Sequence, residues 1–372
     1  MAAKASSRLT QVHCLRIRRD DECSTLRHRP GTTTTKFMTR FSTSNTACPL
    51  RVGFRGNFKQ VLPFRRKIQT KLPNMKQYTA EELFPSHSAL GESPLYDAAS
   101  DSLFFVDIKH HLVHWVPLSI GWDAKRTYTF MEPITRLDLV QGRIDLLAVQ
   151  TRLGFALLDL STGVLKRIAS VRHQGEDGPE LDDKVRMNDG AIDARGRWWA
   201  GTMAQDEESR IGRLWCLENG EVKEFPIEDE KGCAVLNGPV WSPDDKTMYV
   251  PHTPQGKIWQ YDYDVKTGSA LNRRLFAHLE NGGMPDGLAV DKDGYIWTAA
   301  NSKGKLVRFS PEGTAVAEVE VPGAKMCSCP AFGSPDMKTL FITSIADDGS
   351  SGHVYQVRVD VGGIARHKYR LA

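Results

Sequence analysis

The sequence predicts an all-β fold, a six-bladed β-propeller with four-stranded antiparallel blades around a central channel. The prediction rests on three observations: a short apolar strand recurs six times, turn sequences precede these strands in the same register, and alternating strands follow them. No helical period of 3.6 residues interrupts the series, which argues against an α/β fold.

The repeated strand is short, apolar and evenly spaced. Its copies are LFFVDI (103–108), DLLAVQ (145–150), WWAGTM (198–203), MYVPHT (248–253), IWTAAN (296–301) and LFITSI (340–345). Their starts are separated by 42 to 53 residues, which leaves room for about four strands of five or six residues with their turns. Repeats of this length built only from strands are typical of propeller blades, and six of them fill residues 85–372.

Turns and alternating strands flank the repeated strand in a constant order. The segments DAASDS, DARGR, SPDDKT, DKDGY and SPDMKT each precede a copy, and they consist largely of residues that close tight turns. Strands of alternating polarity follow, as in KIWQYDYD (257–264). This order predicts antiparallel meanders. We expect the tryptophans at strand positions to pack in their core: Trp198, Trp199, Trp241 and Trp297.

Residues 1–74 have a composition unlike that of the remaining chain. They contain 16 Lys and Arg against three acids, a net charge of +13, whereas residues 75–372 contain 33 basic and 42 acidic side chains, a net charge of −9. We predict that residues 1–74 are a disordered basic extension and that residues 75–372 form the propeller. The extension is either a mitochondrial transit peptide or a non-native leader ahead of an initiator at Met75.

Composition also predicts which partners the protein lacks. The negative charge of residues 75–372 argues against a nucleic-acid partner, and the absence of 18 consecutive apolar residues argues against a membrane span. The cysteines after residue 74 match neither the zinc nor the redox CxxC spacing, and reduced thiols fit an intracellular compartment. We expect a cytoplasmic protein, with a mitochondrial location as the alternative if residues 1–74 are a transit peptide.

Polar residues stand before the first strand of the repeats in matching register. They are Glu92, Asn188, Asn237 and Asp286, with Cys329 in a fifth copy. Equivalent positions of successive blades are related by rotation about the channel axis, so we expect the four oxygen-bearing side chains to converge. Such a set suits a hard divalent cation. The alternative is that these residues only close turns or line a wet channel, although carboxylates crowded there without a cation would repel each other.

Four segments carry a family resemblance: GESPLYDAASDSLFFVDI (91–108), RMNDGAIDARGRWWAGTM (186–203), NGPVWSPDDKTMYV (237–250) and MPDGLAVDKDGYIWTAANSKGKLVRFSPEG (284–313). They resemble the gluconolactonase, regucalcin and luciferin-regenerating enzyme family, and the resemblance covers essentially all of residues 85–360. It implies a six-bladed propeller, one divalent ion in the channel and the hydrolysis of aldonolactones to aldonic acids.

The resemblance also implies roles for individual residues. By motif, the metal ligands are Glu92, Asn237 and Asp286, and the ion is calcium, zinc, magnesium or manganese. As a carboxylate at the metal, Asp286 is also the expected catalytic base that activates water. The substrate-contacting Arg and Asn of the family fall on Arg186 and Asn188.

Two further substrate-binding positions depart from the family pattern. The acid that helps to hold sugar hydroxyls falls near Asp206, in AQDEE, where the side chain is shorter. After MYV the family commonly has an acid, whereas this chain has His252. We predict that His252 contacts substrate or carries a proton, the alternative being that it only caps a strand. The cluster of His110, His111 and His114 is expected on the solvated surface.

The sequence therefore predicts a divalent-metal-dependent hydrolase whose partner is a small-molecule lactone. One alternative is the same metal site acting on a non-sugar lactone or ester. The other is a non-catalytic calcium-binding propeller, because a fold does not determine a function. No G-x-S-x-G motif is present, so no covalent acyl-enzyme is expected.

Overall fold

The computed structural model describes residues 75–173, 180–226, 232–347 and 349–371. These residues form six small antiparallel sheets in a ring, which confirms the predicted propeller. Residues 1–74 lie outside them, so the basic extension stays a prediction. Over the described ranges the helices are three single 3-10 turns, Trp122–Ala124, Asp182–Lys184 and Thr253–Gln255. None of these is long and apolar enough to cross a membrane.

The first three blades follow two leading strands along the chain. The leading strands are β1 (Lys76–Thr79) and β2 (Glu81–Phe84). Blade 1 contains β3 (Gly91–Asp97), β4 (Ser102–Asp107), β5 (Leu112–Pro117) and β6 (Arg126–Thr129). Blade 2 contains β7 (Arg136–Leu139), β8 (Leu146–Gln150), β9 (Gly154–Asp159) and β10 (Leu165–Ser170). Blade 3 contains β11 (Val185–Ile192), β12 (Trp198–Ala204), β13 (Leu214–Glu218) and β14 (Glu221–Phe225).

The last three blades complete the ring. Blade 4 contains β15 (Val240–Trp241), β16 (Thr247–His252), β17 (Lys257–Asp264) and β18 (Ser269–His278). Blade 5 contains β19 (Met284–Val290), β20 (Ile296–Asn301), β21 (Lys305–Phe309) and β22 (Ala315–Glu320). Blade 6 contains β23 (Cys327–Gly333), β24 (Thr339–Ser344) and β27 (Val354–Arg358), and a separate small sheet pairs β25 (Ala346–Asp347) with β26 (Ser350–Ser351).

The N-terminal strands close the ring. Strand β2 pairs antiparallel with β27 and supplies the fourth strand of blade 6, while β1 pairs in parallel with β22 and adds a fifth strand to blade 5. The six repeats counted from residue 85 do not include β2, so on their own they supply only three strands to blade 6. Pairing β2 with β27 within one blade covers a strand edge that would otherwise be open.

The repeated apolar sequence is the second strand of every blade. Strands β4, β12, β20 and β24 are buried along their whole length, because both faces of a blade are covered by neighbouring blades. The strand tryptophans are buried as predicted. The turn aspartates help to fix two of them: Asp193 Oδ2 accepts from Trp199 Nε1 at 3.1 Å, and Asp291 Oδ2 accepts from Trp297 Nε1 at 3.0 Å.

The innermost strands are irregular where the polar residues occur. The antiparallel register shifts between Glu92 and Leu95 in β3, with equivalent shifts in β11, β19 and β23. The sequence pattern had placed these polar residues before the first strand of each repeat. In blades 1, 3 and 5 they lie inside the innermost strand instead. Such bulges leave a residue unpaired and redirect its side chain, and they are common beside active sites.

One buried histidine, His114, differs from the surface assignment made from sequence. His110 is exposed, but His114 lies in β5 with its ring 4.9 Å from that of Phe105, and it is buried. That prediction was wrong for His114 because both faces of β5 are covered at this point, so that Val113 and His114 are both buried. Burial lowers the pKa of His114 to about 4, and burial lowers the pKa of His173 to about 4 as well.

We expect these histidines to make the fold sensitive to acid. Both pKa values fall from 6.5 to about 4 on folding, so the unfolded chain binds more protons between those values and stability falls as the pH drops from 6.5 towards 4. The loss is at most about 3 kcal/mol for each histidine, since one pKa unit corresponds to about 1.4 kcal/mol. Urea unfolding between pH 4 and 7 measures it. His114→Gln should flatten the profile and His278→Gln, at an exposed histidine, should not; an equal slope in both variants would contradict the assignment.

Candidate active site

A chain of hydrogen bonds joins side chains from three blades at the channel. Arg186 Nη1 donates to Asn188 Oδ1 at 3.0 Å, and Asn188 Nδ2 donates to Asn237 Oδ1 at 2.8 Å. Asn237 Nδ2 then donates to Asp286 Oδ1 at 2.8 Å, and Asn301 Nδ2 donates to Asp286 Oδ2 at 2.9 Å. The structure thus brings together four residues that the sequence pattern selected, and it adds Asn301 from β20.

Glycines next to the polar residues allow the blades to approach this closely. A Cβ atom on Gly238 would lie 2.5 Å from the backbone nitrogen of Gly190, and one on Gly287 would lie 2.8 Å from Cα of Cys329. Real Cβ contacts are not that short, so any larger residue would push neighbouring blades apart. In Asn237-Gly238 and in Asp286-Gly287, a site residue is therefore followed by a glycine that lets its blade pack closely against a neighbouring blade.

Thr253 braces the centre of the site and was not recognised from sequence. Its hydroxyl accepts a hydrogen bond from Asn237 Nδ2 at 2.8 Å and donates to the carbonyl of Pro285 at 2.8 Å. Because Pro285 precedes Asp286, this one hydroxyl ties both site residues together. The adjacent His252 is buried at the end of β16, and its predicted contact with substrate stays a prediction.

Glu92 belongs to the same region through its charge. The side chain is buried in β3, and Oε2 accepts a hydrogen bond from the amide of Ser93 at 2.9 Å. Ser93 has a φ of 51°, a left-handed conformation that is uncommon for a residue other than glycine. Its hydroxyl also accepts from the amide of Leu137 at 2.8 Å. Strain of this kind persists where neighbouring contacts fix the backbone, often at functional sites.

The two carboxylates are electrostatically unfavourable together. Burial raises the pKa of Glu92 well above its usual range, and the charges of Asp286 and Asp189 raise it further. Burial also raises the pKa of Asp286, although the amides of Asn301 and Asn237 stabilise the charged form. Burial lowers the pKa of Arg186, which the acids around it counteract. Like charges held in a buried channel favour the binding of a cation.

The oxygen donors fit a hard divalent cation. Glu92, Asn237 and Asp286 offer two carboxylates and one amide oxygen, and these are the ligands that calcium, magnesium and manganese prefer. Nowhere in the described ranges do three or more His, Cys, Asp and Glu side chains cluster as metal ligands. The candidate set has only two such residues, and the amide of Asn237 provides the third oxygen.

A buried ion-pair cluster adjoins the site and was missed by sequence reasoning. Arg136 donates to both carboxylate oxygens of Asp138, at 3.1 and 3.0 Å, and to Asp189 Oδ1 at 2.7 Å. Asp189 follows Asn188 and acts on the pKa of both Glu92 and Asp286. Blade 2 begins with Arg136, whereas blades 1, 3, 4 and 5 have an acid or an amide at the polar position and blade 6 has Cys329. No local motif marked it, because its partners are 2 and 53 residues away.

In the acidic turn after β12, Asp206 and Glu207 have different interaction partners. Asp206 is exposed, and its carboxylate accepts from the amides of Glu208 and Ser209 and from the Ser209 hydroxyl. The Ser209 hydroxyl is the main cause that lowers the pKa of Asp206. Glu207, with a φ of 58°, is instead the acid of this turn whose charge acts on Arg186. The structure does not bring Asp206 to Arg186. The acid of this turn whose charge acts on Arg186 is Glu207.

Comparisons with known proteins show the family of this chain. The family model described as "SMP-30/Gluconolactonase/LRE-like region" matches residues 90–346. The chain belongs to this family. It is 32% identical to regucalcin of Xenopus laevis over 296 residues, covering 74% of this chain and 93% of that protein. It is 31% identical to 6-deoxy-6-sulfogluconolactonase of Pseudomonas putida over 290 residues, covering 75% of this chain and 94% of that protein.

A solved structure extends the agreement to three dimensions. The calcium-binding protein regucalcin of Agrobacterium tumefaciens has a TM-score of 0.70 and 25% sequence identity, covering 80% of this chain and 99% of that chain. Membership of the SMP-30/gluconolactonase/LRE-like family therefore extends over almost the whole length of these relatives, and it confirms the resemblance seen in the sequence.

Proposed function

We propose that this protein is a divalent-metal-dependent hydrolase that opens small lactones, with sugar-type aldonolactones as the substrate class. The observation that carries the proposal is the pair of buried carboxylates, Glu92 and Asp286, beside the amide of Asn237. The relative named 6-deoxy-6-sulfogluconolactonase supports the same reaction type. Glu92, Asn237 and Asp286 would hold the cation, which supplies Lewis-acid polarisation of the lactone carbonyl when bound.

Asp286 is the residue we assign as general base. Its two carboxylate oxygens accept from the amides of Asn237 and Asn301, which fix the plane of the carboxylate. In this orientation it accepts a proton from the attacking water and returns it to the ring oxygen when the C–O bond breaks. Lactone and water thereby become a hydroxy acid, with no covalent intermediate on the protein.

Arg186 and Asn188 are assigned to substrate binding. In the described part of the chain, the guanidinium of Arg186 donates only from Nη1, to the Met187 carbonyl and to Asn188. Its remaining donors suit the oxygens of a polar substrate. The charge of Glu207 beside them suits sugar hydroxyls, which donate hydrogen bonds to a carboxylate.

A second candidate is a calcium-binding propeller without catalysis. The name of the Agrobacterium tumefaciens relative favours it. It requires the same cation ligands but gives no role to Arg186 or Glu207. Screening a panel of sugar and non-sugar lactones by acid release, with and without chelator, separates the two candidates and defines the lactone class.

Removing the carboxylate of Asp286 should abolish turnover. Asp286→Asn is nearly isosteric but cannot accept the proton, so kcat should fall by about 10² to 10⁴, the usual contribution of general-base catalysis. Asp293→Asn, at an exposed turn of the same blade, is the matched control and should be unaffected. Retention of more than a tenth of the wild-type kcat in Asp286→Asn would refute the assignment.

The acidic turn allows a test between neighbouring residues. Glu207→Gln should raise the KM for a hydroxyl-rich lactone roughly tenfold, because a hydrogen bond to a charged group contributes about 1.5 to 3 kcal/mol. The KM for a hydroxyl-poor lactone should change little. Asp206→Asn should behave as wild type, since its carboxylate is taken up within its own turn. If Asp206→Asn raises KM and Glu207→Gln does not, Asp206 is the substrate-binding acid.

A further inference from the structure

The C-terminal segment after β27 crosses one end of the ring. Gly363 bridges to Asp291 of blade 5, and Tyr369 bridges to Val140 at the end of β7. Between them, His367 Nε2 lies 3.0 Å from Asp245 Oδ1 in blade 4. The segment therefore spans several blades without adding a strand to any of them.

A cavity of about 250 Å³ lies between this segment and the innermost strands. Its walls are mainly apolar, and they include Leu95, Ile192, Val240, Leu288, Val290 and Phe332. The exposed residues Ala98, Ala99 and Lys368 also line it, so it is open to solvent at one side. Arg136 and Asp189 contribute to its inner wall, whereas Glu92, Asn237 and Asp286 do not line it.

Arg366 places a guanidinium at the wall of this cavity. Nη1 and Nη2 are buried and have no hydrogen-bond acceptor among the residues described, although the stem of the side chain is partly exposed. Burial lowers the pKa of Arg366, and the charge of Arg136 lowers it further. The nearest acids, Asp138 and Asp189, are already bound by Arg136.

Buried guanidinium donors without acceptors are costly, so a group with matching acceptors would be bound favourably. The free donors of a guanidinium form a planar fork that matches the two oxygens of a carboxylate. The apolar walls suit a hydrocarbon body and offer little to a polyol. A doubly charged phosphate is disfavoured, because the charges of Arg136 and Arg366 are already matched by those of Asp138 and Asp189.

We propose that this cavity binds a small monocarboxylate with an apolar body, whose oxygens accept hydrogen bonds from Nη1 and Nη2 of Arg366. The cavity is separate from the site assigned to lactone hydrolysis and does not depend on that assignment. The ligand enters past Ala98 and Lys368, where the cavity opens.

Pentanoate is a suitable probe, with pentanol as the same body without charge and sulfate as charge without an apolar body. The full chain should bind one equivalent of pentanoate by calorimetry, and its Tm should rise by a few degrees and saturate, as expected for a ligand of the native state. Pentanol and sulfate should give neither effect. No saturable binding of pentanoate, or an equal response to pentanol or sulfate, would overturn the proposal.

Substitutions in the same segment locate the site. Arg366→Met keeps most of the side-chain volume and should lose the response to pentanoate. Arg366→Lys should bind at least tenfold more weakly. Arg370→Met is the matched control, since Arg370 contacts Gln141 and the carbonyl of Ala194 and does not line the cavity. An undiminished response in Arg366→Met would contradict the proposal.

Discussion

Glu92 and Asp286 hold two carboxylates in a buried part of the channel, where burial disfavours the charged form of both and the charge of Asp286 further disfavours that of Glu92. The remaining site is organised around this pair. Asn237 and Asn301 donate to Asp286, Thr253 holds Asn237, and the amide of Ser93 donates to Glu92. None of these groups carries a positive charge. They orient the carboxylates without adding positive charge, and the cations that act on the two pKa values are Arg186 at Asp286 and Arg136 at Glu92.

The propeller creates this crowding through its innermost strands. Bulges in β3, β11 and β19 direct side chains towards the axis, and Gly238 and Gly287 let adjacent blades come close enough for those side chains to meet. The close approach of β7 and β11 also brings Arg136, Asp138 and Asp189 together as a buried cluster. The C-terminal segment adds Arg366, whose Nη1 and Nη2 lack a hydrogen-bond acceptor among the described residues.

Rotational equivalence of the blades explains why much of the site could be predicted from sequence. Asn188, Asn237 and Asp286 share a register with a turn, so their convergence follows from the repeat alone. Arg136 and Arg366 could not be found this way, because one replaces the repeated polar residue and the other lies after the last repeat. Glu207 differed from the expected Asp206 because a left-handed residue in the turn decides which acid acts on Arg186, and local sequence does not encode that choice.

Metal stoichiometry tests the central claim, that the crowded carboxylates exist to hold one divalent cation. The measurement is equilibrium dialysis of the full chain against calcium, magnesium, manganese and zinc in turn, with bound metal quantified by mass spectrometry. The account predicts one equivalent of at least one of these ions in wild type and at least tenfold weaker binding in Glu92→Gln, with the fold retained by circular dichroism. A wild-type protein that binds none of these ions, or a Glu92→Gln variant that binds them equally well, would contradict it.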